Sequence, residues 1–254
     1  MRRQFFFKGT VWKFLWIEPG GVEAWKTRAG LWHIWERNFS LELKRGLPRR
    51  ILRFGRIILI QVYWEEGIDL REAISQGWPV GRLLEGFRSA LERLSLLEES
   101  APNLLHGDLS PANLLLTPIG NSLWIDWETS RAVAEVKRER RLFVKPAERA
   151  QGWSPRKESD IFSLGAILFE LLSGSTLFQD DMEGFRASAS FQFFYLENVI
   201  GNIPREYRHV LARALSPDWA ARPSRYSEFL QEFDRAFSER KILGAMAEQS
   251  RGAK

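Results

Sequence analysis

The stretch LLHGDLSPANLLL, residues 104–116, decides the reading of this chain, together with SLWIDWE at 122–128. His106, Asp108 and Asn113 fall within eight residues between apolar runs. Polar side chains that close to a core need partners or chemistry. Asp108 and Asn113 lie five apart in a loop, and Asp126 ends the next apolar segment. If the two apolar segments pair as a hairpin, all three polar groups converge at one edge. Taken singly, each is an ordinary turn or capping residue. Together, two carboxylates and a carboxamide form the hard oxygen set that holds Mg²⁺ along with substrate phosphates. Phosphoryl transfer uses such a set: one carboxylate orients the attacking hydroxyl and takes its proton, and the other groups hold the metal.

Outward from this stretch the pattern changes character twice. Downstream, DIFSLGAILFELLSG (160–174) is apolar nearly all round and ends on Gly174, which predicts a buried helix. PREYRHVLARALS (204–216) and RYSEFLQEFDRAFSERKIL (225–243) read as further helices, and GAMAEQSRGAK from Gly244 onward as a flexible tail. Immediately upstream, DLREAIS and VGRLLEGFRSALERLSLLEES are amphipathic helices. Before residue 67 the pattern is β-like: FFFKG, VWKFLWI, VEAWK, RRILRFG and IILIQVYW, with EPGG as a hairpin turn. One helix, LWHIWERNFSLEL, interrupts them and stops at Gly46-Leu47-Pro48. The expectation is an α+β protein in two lobes. Residues 1–66 make a five-strand sheet with one helix, 67–243 a larger helical lobe, and 244–254 the tail.

Composition narrows the classes. The 254 residues, 44% hydrophobic, suffice for one large domain or two lobes. Without cysteine there is neither a disulfide nor a zinc–thiolate site, which fits a reducing, cytoplasmic setting. IILIQVYW is far too short to span a membrane, and Lys8 and Lys13 break the apolar N-terminus into strand rather than leader. A formal charge of +5 suits anions such as nucleotides but gives no case for a nucleic-acid partner. With no anchor or receptor segment in view, the expectation is a stand-alone catalytic core.

HGDLSPANLLL followed by IDWE resembles the catalytic loop and metal motif of the protein-kinase-like superfamily. VKPAERAQGWSPRKESDIFSLGAILFELLSG resembles the kinase segment from the A-P-E motif into the central buried helix, with Glu148, Asp160 and Gly165 at matching positions. ALSPDWAARPS resembles the late segment whose arginine pairs with that glutamate, which implies a buried Glu148–Arg222 ion pair. The resemblance runs over residues 58–235. It implies transfer of the ATP γ-phosphoryl group to a hydroxyl with Mg²⁺. Asp108 would be the base or orienter, and Asn113 and Asp126 the metal ligands. GTVWKFLWIEPGGVEAWK resembles the end of a glycine-rich loop and the strand of the phosphate-anchoring lysine. Gly9 would then be the last glycine of that loop, Val11 and Ala24 the adenine roof, and Lys26 the phosphate anchor. Glu36 or Glu42 would pair with Lys26, and Glu36 has the better distance to Gly46. Val62 would back the adenine pocket, the backbone of Tyr63 and Glu65 would face the adenine edge, and Leu115 would be the floor.

The departures from that family are as informative. Gln4 and Phe6 fall where the first two loop glycines would be, and bulk there limits how closely backbone N–H groups approach phosphates. Gly107 replaces the arginine usual before the catalytic aspartate, Ser110 replaces a lysine, and Glu128 replaces the glycine of D-F-G. HGD with DWE resembles aminoglycoside-type phosphotransferases, whereas ESDIFSLG and AARPS side with protein kinases. The acceptor expected is a protein Ser/Thr hydroxyl. The alternatives are a small-molecule or lipid kinase and a weak or inactive pseudokinase scaffold. VKRERRLFVK, 136–145, lies where protein kinases dock substrate and either favours an acidic substrate or is a solvated basic loop.

Overall fold

The computed structural model describes residues 2–7, 10–16, 47–54, 57–63, 65–102, 104–118, 120–127, 156–177 and 199–252. Its first part is one antiparallel sheet of β1 (Arg2–Phe7), β2 (Thr10–Trp16), β3 (Pro48–Phe54) and β4 (Ile57–Tyr63), in the order β1-β2-β4-β3. These are the aromatic and β-branched runs, whose side chains suit a pleated surface. Phe7 pairs with Thr10 and Phe54 with Ile57, and in the sequence two residues, one of them glycine, separate each pair. β2 and β4 pair from Thr10↔Tyr63 to Trp16↔Ile57 without a break, so no fifth strand lies between them. The fifth expected strand, VEAWK, and the helix LWHIWERNFSLEL lie outside the described residues.

The second part is mainly helical. β5 (Ile68–Asp69) leads into α1 (Leu70–Ser75), where the Asp69 carboxylate accepts from Glu72 N–H at 2.9 Å and so caps the helix. α2 (Val80–Ser100), α3 (Lys157–Ser173), α4 (Arg205–Ala214) and α5 (Tyr226–Gly252) form the body. Between α2 and α3 runs a small hairpin of β6 (Leu114–Leu116) and β7 (Ser122–Trp124), with β5 on the far edge of β6.

α3 is buried at every position from Ser159 to Leu171, as its all-round apolar sequence demands. It stops at Gly174, whose left-handed φ of 73° glycine adopts without penalty. Gly165 lets α4 approach the α3 backbone: a Cβ there would lie 2.8 Å from Ala214 Cβ. α2 packs along α5 and against β7, where Trp124 Nε1 donates to Ala90 O at 3.1 Å. One apolar cluster joins these elements through Phe87, Leu94, Trp124, Phe162, Phe229 and Phe233.

Three local expectations differ from the structure. Leu104 and Leu105, the apolar run before His106, form no strand, because the chain there turns onto α3 and does not join the hairpin. β5, unforeseen, is two residues long and arises because Gly67 lets the chain pass against β6. α5 continues to Gly252 through the segment expected to be a flexible tail. Ala245, Met246, Ala247, Glu248 and Gln249 are strong helix formers, and a single Gly244 does not outweigh them.

Candidate active site

The site grows from the β6–β7 hairpin. Leu114 pairs with Trp124 and Leu116 with Ser122. That register sets Asn113 opposite Ile125, whose N–H donates to Asn113 O at 2.9 Å. Asp126 follows directly. On the other side, Pro111 opens a single 3₁₀ turn, Pro111–Asn113, and Asn113 N–H donates to Ser110 O at 2.9 Å. Asp108, Asn113 and Asp126 therefore share the open end of one hairpin.

Asn113 is oriented by Asp108. Its Nδ2 donates to Asp108 O at 2.7 Å and lies 3.4 Å from Asp108 Oδ2. Both neighbours are acceptors, which fixes the amide nitrogen on that side and turns Oδ1 away as a hard donor atom. Asp126 takes a left-handed φ of 66°, a conformation aspartate tolerates better than most residues. That twist redirects the chain at the end of β7, the kind of local strain that a functional site retains.

His106 is a strut. It is fully buried, with its ring 4.5 Å from that of Trp127 and 6.0 Å from that of Trp124. Asp108 N–H donates to Nδ1 at 3.3 Å, and Nε2 lies 3.0 Å from Ile125 O. The two contacts assign a neutral imidazole with its proton on Nε2. His106 thereby ties the backbone of Asp108 to the residue before Asp126.

Asp160, buried in α3, holds the loop from below. His106 N–H donates to its Oδ2 and Gly107 N–H to its Oδ1, each at 2.8 Å. Tyr226 OH at the start of α5 donates to Oδ2 at 2.6 Å. Burial, then the adjacent Asp160 charge, pushes the Tyr226 phenol well above its ordinary pKa, so it remains a donor. Gly107 has φ 72°, which explains a glycine at this position in backbone terms. Ser110 is buried, and its hydroxyl has no hydrogen-bond partner among the described residues.

The other anticipated positions divide in two. Val11 pairs across the sheet with the buried Val62, and Tyr63 pairs with Thr10. Glu65 follows, half-buried, and Leu115 is a half-buried residue of β6. Gly67 presses against this floor: a Cβ there would lie 2.6 Å from Leu116 O and 2.8 Å from Leu115 Cγ. Gly9, Ala24, Lys26, Glu36, Glu42, Glu148 and the basic segment 136–145 lie outside the described residues. Arg222 is buried and donates to Ser216 O at 2.7 Å and Glu158 O at 3.1 Å, with its guanidinium over Phe162.

A magnesium ion fits this donor set. Among the described residues no three histidine or acidic side chains gather into a closed metal cage. Mg²⁺ does not need one, since it keeps several waters and takes one or two carboxylates plus phosphate oxygens. Asp126 and Asn113 Oδ1 are oxygen donors of that kind, beside the Asp108 carboxylate. Sequence patterns did not mark Tyr226, whose bond to Asp160 spans 66 residues. The polar Asp160 inside an otherwise apolar helix was the visible signal that something must bond there.

No family model matches the chain. Among curated proteins it is 27% identical over 163 residues to a probable serine/threonine-protein kinase PknB of Lactococcus lactis subsp. lactis. It is 29% identical over 180 residues to the serine/threonine-protein kinase drp72 of Corynebacterium efficiens, and 28% over 132 residues to serine/threonine-protein kinase PrkC of Bacillus subtilis. These matches take in 60%, 66% and 49% of this chain, but only 26%, 33% and 20% of the respective relatives. The chain thus spans a third or less of the length of these curated relatives. Among the described residues no helix is long and apolar enough to cross a membrane. Motif, hairpin and relatives agree: the chain resembles the protein-kinase-like superfamily and is a distant relative of bacterial serine/threonine-protein kinases.

Proposed function

We propose that this chain transfers the γ-phosphoryl group of ATP to a hydroxyl, that of a protein serine or threonine, in the cytoplasm. The single observation that supports it is the shared hairpin end of Asp108, Asn113 and Asp126. ATP would lie between residues 1–66 and 67–243, its adenine between Val11 and Ala24 above and Leu115 below. Backbone groups of Tyr63 and Glu65 would meet the adenine edge, Gly9 would approach the phosphates, and Lys26, steadied by Glu36 or Glu42, would reach the α- and β-phosphates.

The Asp108 carboxylate, at a loop fixed by Asp160 and His106, orients the acceptor hydroxyl and takes its proton as the new O–P bond forms. The leaving electron pair returns to ADP. Asp126 and Asn113 Oδ1 would hold Mg²⁺, which would supply positive charge against the phosphates. Asn113 Nδ2 holds Asp108 at the same time.

A binding scaffold without turnover is the second reading. One observation favours it: Gln4 pairs with Lys13 and Phe6 with Val11, so side chains bulkier than glycine occupy a continuous ladder where phosphate-cradling glycines would fall. Asp126→Gly tests the site. It removes the ligand and relaxes the positive φ, so the variant should fold as well as wild type while Mg²⁺-dependent ATP affinity drops at least about tenfold, or 1.4 kcal/mol. Unchanged Mg·ATP affinity by titration calorimetry counts against the metal site.

A further inference from the structure

We infer that Tyr226 is a positioning residue for the loop of Asp108: its hydroxyl fixes the Asp160 carboxylate, which in turn sets the backbone of His106 and Gly107. The inference rests on the reading of Asp108 as the phosphoryl-transfer residue.

The tyrosine is held at three places. Its backbone belongs to the first turn of α5, where the buried Glu98 of α2 accepts from Tyr226 N–H, Ser227 N–H and Ser227 OH, each at 3.3 Å. Glu98 thus caps α5 from a neighbouring helix, at the end where a negative charge is favoured. The ring face is covered by Lys157 Nζ, 4.6 Å from its centroid, and that ammonium is itself bonded to Glu98 Oε1 at 2.8 Å. The hydroxyl then reaches Asp160 Oδ2 at 2.6 Å. α2, α3 and α5 converge on one phenol.

Two features separate this from ordinary core packing. Tyr207, equally buried in α4, has a hydroxyl with no hydrogen-bond partner among the described residues, unlike that of Tyr226. And the acceptor is not a spare carbonyl. Asp160 has two carboxylate oxygens, and each already receives a loop amide. A third, charge-assisted donor on Oδ2 locks the carboxylate against rotation, and so keeps both amides in place. Asp108 is the next residue, with its own N–H bonded to His106 Nδ1.

Two variants test this. Tyr226→Phe deletes only the hydroxyl. Ser227→Ala loosens the same helix end, through Glu98, without touching Asp160. Hydrogen exchange at the His106 and Gly107 amides reads the loop directly and needs no activity. For Tyr226→Phe those two amides should exchange about tenfold faster, the scale of one hydrogen bond to a charged group. kcat should fall by a similar factor while KM for ATP stays within about twofold. Ser227→Ala should leave both readouts at wild-type values. Wild-type exchange at both amides in Tyr226→Phe overturns the inference, as does equal acceleration of amides throughout α3 and α5, which would mark a global effect. If wild-type protein transfers no phosphoryl group, the proposed function fails, and the exchange comparison still decides the role of Tyr226.

Discussion

Asp160→Asn is the sharpest structural perturbation available, because it changes one atom at the meeting point of three donors. His106 N–H, Gly107 N–H and Tyr226 OH all donate to the wild-type carboxylate. An asparagine can place Oδ1 where Oδ2 was, and so keep the bonds from His106 and Tyr226. Its Nδ2 must then face Gly107 N–H, donor against donor. A buried amide without an acceptor costs about 1–3 kcal/mol. The two surviving bonds lose their charge assistance, at roughly 0.5–1 kcal/mol each. Relief from burying a carboxylate offsets part of this. The net expectation is about 2–3 kcal/mol of lost stability, a large share of the ~5–15 kcal/mol typical of a folded protein. Urea unfolding followed by tryptophan fluorescence measures it, as a lower midpoint at unchanged slope. A variant within about 0.5 kcal/mol of wild type would refute the reasoning that Asp160 carries the loop.

Gly165→Ala should destabilise by about 1–2 kcal/mol in thermal melts: the new methyl meets Ala214 Cβ at 2.8 Å, and the overpacking outweighs the gain in helix propensity. Glu170→Gln should stabilise the protein at neutral pH. Burial raises the Glu170 pKa above 4.5 despite the nearby Arg71 charge, so in wild type the folded state binds the proton more tightly and stability is lost as pH rises through that folded value. The melting-temperature gap between variant and wild type should therefore open above about pH 4.5 and close below it.

Much of the site was legible because its signals are local. The spacing of Asp108, Asn113 and Asp126 works through a hairpin only three pairs long, and both strands were visible as apolar runs. The end of α3 was equally readable, since Gly174 follows a solid apolar helix. What escaped notice depends on distance along the chain. Asp160 bonds residues more than 50 positions earlier, and Glu98 caps a helix that begins 128 positions later. Periodicity says nothing about such pairs. It shows only that a charged residue on a buried helix must have them. The segment from Gly244, expected as a flexible tail from its terminal position, is helical to Gly252, because the Ala, Met, Glu and Gln after Gly244 favour helix.

Gly107 changes meaning with the structure in view. In the sequence it is a missing arginine. In the fold it is a residue at φ 72°, a conformation that glycine adopts freely, and its amide bonds Asp160, so the position serves the loop's shape.

Transfer of radiolabelled γ-phosphate tests the central claim most directly. Purified wild type and Asp108→Asn are incubated with Mg·ATP, with protein acceptors and with low-mass hydroxyl acceptors in parallel. The account predicts label on protein Ser or Thr with wild type, a loss of at least about 100-fold in rate with Asp108→Asn, and nucleotide affinity little changed. Equal transfer by the two proteins, or none by wild type with any acceptor, would contradict it.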